Sequence, residues 1–102
     1  MLRSSWEANV ARILNYENVN YIYEKDKFDI TMPDGTQTYY IPDFFLDNNV
    51  LFEVKGHWRK GNKAKLAAFK EQYSQYMLCV IDKYIYAQLQ QQYRSQIKNW
   101  ED

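Results

Sequence analysis

The chain has 102 residues and a mass of 12.4 kDa, with 46% hydrophobic and 25% charged residues. That is enough for one compact domain, too little for two, and too apolar for a disordered tail. Thirteen Lys/Arg balance thirteen Asp/Glu, which argues against a generic nucleic-acid coat, and the single cysteine, Cys79, excludes an internal disulfide framework.

No Cys/His cluster offers a structural zinc site. The start, Met1 to Glu7, lacks the apolar segment of a signal peptide, and nothing approaches the roughly 20 apolar residues of a membrane span. The expectation is a soluble chain in a reducing, cytoplasmic setting, with no membrane partner.

Residues 5–16 are predicted to form a helix, with Trp6, Val10, Ile13 and Leu14 in one apolar stripe. Ser4 is a good N-cap, and Glu7 three residues later completes a capping-box pattern. After a loop, residues 20–32 read as β, with Tyr21 to Tyr23 and then Phe28, Ile30 and Met32 in alternation. Residues 33–36, Pro-Asp-Gly-Thr, make a turn by their own chemistry. Residues 39–46 are a second β stretch, in which Pro42 is limited to an edge or a bend. A tight turn at 47–49 leads into a strand over 50–55 that ends at Gly56.

Residues 60–73 read as a helix with Leu66, Phe69 and Tyr73 inward and the lysines outward. The apolar run 77–81 is a buried strand returning to the sheet. A glutamine-rich helix over 84–99 carries the stripe Ile85, Leu89, Tyr93, Ile97 and Trp100, either core or a dimer surface. The sum is an α/β domain of order α-β-β-β-β-α-β-α.

Charge is unevenly spread. Residues 1–54 carry four Lys/Arg and nine Asp/Glu, whereas residues 55–102 carry nine and four. Residues 55–70 hold Lys55, Arg59, Lys60, Lys63, Lys65 and Lys70 and no acid. Such a run is either a phosphate-contacting face or a solvated helix surface offset by the acidic half.

The stretch 40–55 is the most informative. A hairpin closed by a three-residue loop at 47–49 sets Phe44 opposite Phe52 and Asp43 opposite Glu53. One face then carries Phe44, Leu46, Val50, Phe52 and Val54, and the other carries Asp43, Glu53 and Lys55. A one-residue slip would break up the apolar face, so burial alone determines the register. Two carboxylates directly across a sheet repel. A divalent cation between them turns repulsion into coordination, and few, hard oxygen ligands suit magnesium or manganese. Such an ion activates water and neutralises phosphodiester charge, and Lys55 can stabilise the charge that develops. The plainer alternative is an exposed hairpin face with Glu53 and Lys55 merely solvated.

Pro42-Asp43 followed by Glu53-Val54-Lys55 resembles the PD-(D/E)xK nuclease signature. Lys55-Gly56-His57-Trp58 and the N-terminal Arg3-Ser4-x-x-Glu7 bring the chain nearest to the phage endonuclease I family of junction-resolving enzymes. The N-terminal pattern also looks like transposase endonuclease subunits and mismatch-nicking endonucleases. The resemblance implies a restriction-endonuclease-like core with a mixed, mostly antiparallel sheet flanked by helices. It implies a Mg2+-dependent endodeoxyribonuclease, able to use Mn2+, acting on DNA such as Holliday junctions in a phage or mobile-element setting. Asp43, Glu53 and the Val54 carbonyl would be metal ligands, Lys55 the catalytic lysine, and Glu7 the helix-borne catalytic acid. Glu7 has a rival role in the helix cap. The family also implies a homodimer with exchanged N-terminal helices.

His57 either touches the scissile phosphate or is an incidental loop residue. Trp58 either stacks on DNA or staples the loop to the helix. Arg59, Lys60, Lys63 and Lys65 follow the active-site strand and are candidate DNA contacts. Rival functions are a sequence-specific, mismatch-directed or homing-type nicking enzyme, and a catalytically silent DNA-binding module on the same scaffold.

Overall fold

A computed structural model describes residues 4–102, so Arg3 of the N-terminal motif lies outside the described residues. Helix α1, Ser5–Tyr16, begins where its cap predicts: Ser4 is extended and its Oγ accepts the Glu7 backbone N–H at 3.1 Å. It buries Val10, Ala11, Ile13 and Leu14. The buried Asn9 amide donates to the Tyr86 hydroxyl at 2.7 Å and to the Glu101 carbonyl at 2.6 Å, tying α1 to the C-terminal segment.

Six strands follow among the described residues: β1 (Tyr21–Tyr23), β2 (Phe28–Thr31), β3 (Gln37–Tyr40), β4 (Phe44–Leu46), β5 (Val50–Lys55) and β6 (Met77–Asp82). The main sheet has the order β1-β4-β5-β6, antiparallel except for the parallel β5–β6 pair. Strands β2 and β3 form a separate antiparallel ribbon. The predicted stretches 20–32 and 39–46 therefore each divide between two sheets, and five strands precede α2 rather than four. Pro42, which has no N–H to donate, breaks the second stretch. Glu24, at φ 48, turns the chain after β1. Strand-forming residues lie close on both sides of each break, and residue order does not show that the two sides pair in different sheets.

The β4–β5 register is the predicted one, with Phe44 opposite Phe52 and Phe45 opposite Leu51. The turn between them, Asp47–Asn49, puts Asn48 and Asn49 at φ 62 and 61, a region asparagine tolerates.

Helix α2, Asn62–Gln72, is the crossover that the parallel β5–β6 pair requires. It starts two residues later than predicted, after Gly61 at φ 87. Its Leu66 and Phe69 join Phe28, Tyr40, Phe45 and Leu51 in a core on one side of the sheet. On the other side, α1 and helix α3 (Lys83–Tyr93) close a second core around Phe44, Val54 and Ile81.

Two expectations change here. Strand β6 lies at a sheet edge and is only partly buried, with Met77 exposed and Cys79 half-buried. Helix α3 stops at Tyr93, and its inward anchor is Tyr86 rather than the exposed Ile85. Asp82 caps the Tyr84 and Ile85 N–H groups and so sets the helix phase. The Tyr86 ring stacks on Trp6 at 4.0 Å between centroids.

Candidate active site

The C-terminal end of β5 builds the site. Side chains of a strand alternate: Phe52 and Val54 face the α1–α3 side, so Leu51 and Glu53 face the α2 side. Glu53 is 5% exposed and Asp43 1% exposed, which removes the reading of a solvated hairpin face. Buried carboxylates need hydrogen-bond partners. Asp43 Oδ2 accepts the Val54 N–H at 2.7 Å, and the Asp43 carbonyl accepts the Glu24 N–H at 2.9 Å. Glu53 Oε1 accepts the Tyr40 hydroxyl at 2.5 Å, and Lys55 Nζ lies 3.5 Å from Glu53 Oε2. Burial, reinforced by the negative charge and hydrogen bond of Glu53 and by the charge of Asp43, pushes the Tyr40 hydroxyl far above the usual phenol range.

Glu7 is buried on the first turn of α1 and accepts a hydrogen bond from the Tyr23 hydroxyl. Its backbone serves the helix cap while its side chain lines the same cleft as Glu53 and Lys55. This cleft, of about 740 Å³, gathers the acid and the lysine within one chain. Val54, His57, Arg59 and Lys65 also line it. Asp43 is not among the lining residues; it sits behind the wall, bonded to Val54.

Trp58, Lys60 and Lys63 lie outside the cleft lining. Lys63 Nζ sits 5.2 Å from the Trp58 ring centroid, which joins the loop to α2.

Sequence reasoning links neither Tyr23 nor Tyr40 to the carboxylates; it offers Tyr40, with Tyr39, only as a nucleic-acid contact or a half-buried strand residue. Their alternation in strands marked only one face or the other, and no local signal named the carboxylate each would meet. Glu24 was also missed, although it lines the cleft. Its left-handed backbone in a non-glycine residue is a conformation that clusters at functional sites.

Among the described residues, no group of three or more His, Cys, Asp or Glu side chains is arranged to hold a metal ion. Asp43 and Glu53 are buried carboxylates, as is Glu7, and with the Val54 backbone carbonyl the two predicted ligands make a set of hard-oxygen donors. By its chemistry, this donor set fits a hard divalent cation.

A mixed α/β fold with buried acids and a lysine converging at a strand end defines a class of site suited to acid–base and charge-stabilising chemistry. The family is shown by comparison: the Phage endonuclease I model matches residues 1–100, and the chain belongs to that family. It is 32% identical over 71 residues to Endonuclease I of Escherichia phage T7, covering 70% of this chain and 47% of that relative. It is 30% identical over 71 residues to Endodeoxyribonuclease 1 of Enterobacteria phage T3, covering 70% and 46%. The chain thus matches just under half the length of these curated relatives. No solved structure matches the chain.

Proposed function

We propose that this chain is a metal-dependent DNA endonuclease that hydrolyses phosphodiester bonds and acts on branched DNA such as four-way junctions. The observation that carries the reading is the meeting of Glu7, Glu53 and Lys55 in one cleft, in a member of the phage endonuclease I family.

Asp43, Glu53 and the Val54 carbonyl would hold magnesium, with manganese able to substitute. The ion, when bound, lowers the pKa of water and neutralises phosphate charge. The chain's own residues do the rest. Tyr40 and Tyr23, by their hydrogen bonds, orient Glu53 and Glu7. Glu7, on the cleft wall, would accept a proton from the attacking water. Lys55, 3.5 Å from Glu53, would stabilise the charge that develops on the reacting phosphate. Hydrolysis joins the water oxygen to phosphorus and breaks the P–O bond to the leaving sugar, which takes up a proton. His57, Arg59 and Lys65 on the cleft wall supply positive or polar contacts to the flanking phosphates. A symmetric junction asks for two cuts, which a homodimer with one cleft per chain would supply.

The test incubates the purified protein with supercoiled plasmid, linear duplex and a four-way junction, in magnesium or in EDTA. Metal-dependent cutting of the junction alone is the expected result. Cutting at one duplex site favours the nicking or homing reading, and binding without cutting favours the silent module. Glu53→Ala should bind and not cut; vigorous cleavage by it would place the activity elsewhere.

A further inference from the structure

The acidic N-terminal half contributes one lysine to the cleft's surroundings that the basic run 55–70 gives no hint of. Lys27 immediately precedes β2, and its Nζ lies 5.1 Å from the centroid of the Tyr39 ring. Lys65, from α2, places its Nζ 5.9 Å from the same centroid. Tyr39 and Lys65 both line the cleft that holds Glu53 and Lys55, and the Tyr39 ring is 51% exposed. Alternation in β3 explains the orientation: Tyr40 turns into the core and Tyr39 turns out.

Two ammonium groups from separate elements thus share one exposed aromatic ring at the edge of the cleft. Exposed cation–π contacts are weak, so both charges remain available to an anion that approaches the ring. Of the nearby charges, Lys25 is already matched to Asp26 at 3.9 Å. Asp29, exposed and directly across the β2–β3 ladder from Tyr39, opposes the lysines. Glu24 and Glu53 lie within the cleft. Two cations and one anion thus surround an exposed ring, a combination suited to a phosphodiester whose sugar or base packs on tyrosine.

We propose that Lys27, Tyr39 and Lys65 form a strand-guiding rim that binds the DNA backbone beside the scissile position. This rests on the nuclease reading and adds a substrate contact from outside the basic helix. Lys27 is the critical member, because a contact made by the basic segment alone would not need it.

The experiment measures binding of a fluorescently labelled four-way junction by anisotropy in EDTA across a salt series, with thermal melting of each variant alongside. Lys27→Ala should lower the magnitude of the slope of log K against log salt by about one. From about 50 to about 200 mM salt, its affinity should then fall about 3.5-fold less than that of the unaltered chain. Lys27→Arg should restore the slope, Tyr39→Ala should weaken binding about tenfold, and Asp29→Asn should tighten it. An unchanged slope in a Lys27→Ala protein that melts normally overturns the rim and leaves the ring and lysines as a staple between the ribbon and α2. Binding with the expected variant effects, but no cutting once magnesium is added, overturns the nuclease reading and keeps the rim. Failure of the unaltered chain to bind any DNA sinks both.

Discussion

Replacing Tyr40 with phenylalanine removes one oxygen and leaves the ring in place. That ring packs 5.0 Å from Phe69 between centroids, so Tyr40→Phe isolates the hydroxyl's bond to Glu53 from the surrounding packing. A hydrogen bond to a charged group contributes about 1.5–3 kcal/mol net. Here the acceptor is a carboxylate only 5% exposed, which keeps the expected loss near 2 kcal/mol by the same scale. If the bond acts on stability alone, the midpoint of thermal unfolding falls by roughly 8 °C for a domain of this size. If it also holds Glu53 in its working orientation, cleavage slows about 10- to 100-fold, one factor of ten for each 1.36 kcal/mol. Melting and single-turnover cleavage of a labelled junction, measured on the same preparation, separate the two contributions. A variant that melts within a degree of the parent and cuts within twofold of its rate would refute the argument that this bond organises the site.

Glu7→Gln retains the Ser4 Oγ bond to the residue 7 backbone N–H, so its melting temperature should barely move while cleavage drops about a hundredfold. Unchanged cleavage would leave Glu7 with the cap alone. Phe69→Ala empties the centre of the α2-side core, where the ring is fully buried against Phe28 and Tyr40. It should lose about 3–5 kcal/mol in urea unfolding, and a loss under about 1 kcal/mol would contradict the packing described. Burial chiefly raises the Tyr40 hydroxyl, so the folded chain keeps that proton where the unfolded chain, with its phenol near 10.0, releases it. Stability from this group is whole below about pH 10 and declines as pH rises further. Urea titrations at increasing alkaline pH should show a shallower decline in Tyr40→Phe than in the parent.

Much of the site's scaffold is legible in residue order because its causes are local. Ser4 caps α1 through its own turn, and the alternation through Phe44, Phe52 and Val54 admits one hairpin register, the one observed. The same alternation put Asp43 and Glu53 on the face opposite Phe52, and the chemistry of Pro42-Asp43 and Glu53-Val54-Lys55 was readable as a motif. Period alone cannot say how deep a face lies. It did not distinguish a solvated pair from the nearly inaccessible Asp43 and Glu53, since that depends on Tyr40 and α2 closing over them.

What only the tertiary structure decided is which distant residues meet. Strands β3 and β4 read as one stretch because aromatic and aliphatic residues flank Pro42 on both sides, yet they pair in different sheets. That division lets Tyr40 reach Glu53 while Phe44 enters the opposite core. The stripe that ran on to Trp100 ends as a helix at Tyr93, and Asn9 on α1 binds the Glu101 backbone beyond it. Tyr23 beside Glu7, and Lys27 and Lys65 around the Tyr39 ring, are likewise products of folding. Local sterics and burial period are written in neighbouring residues, whereas the partners of a carboxylate or a lysine are set by packing between elements far apart in the chain.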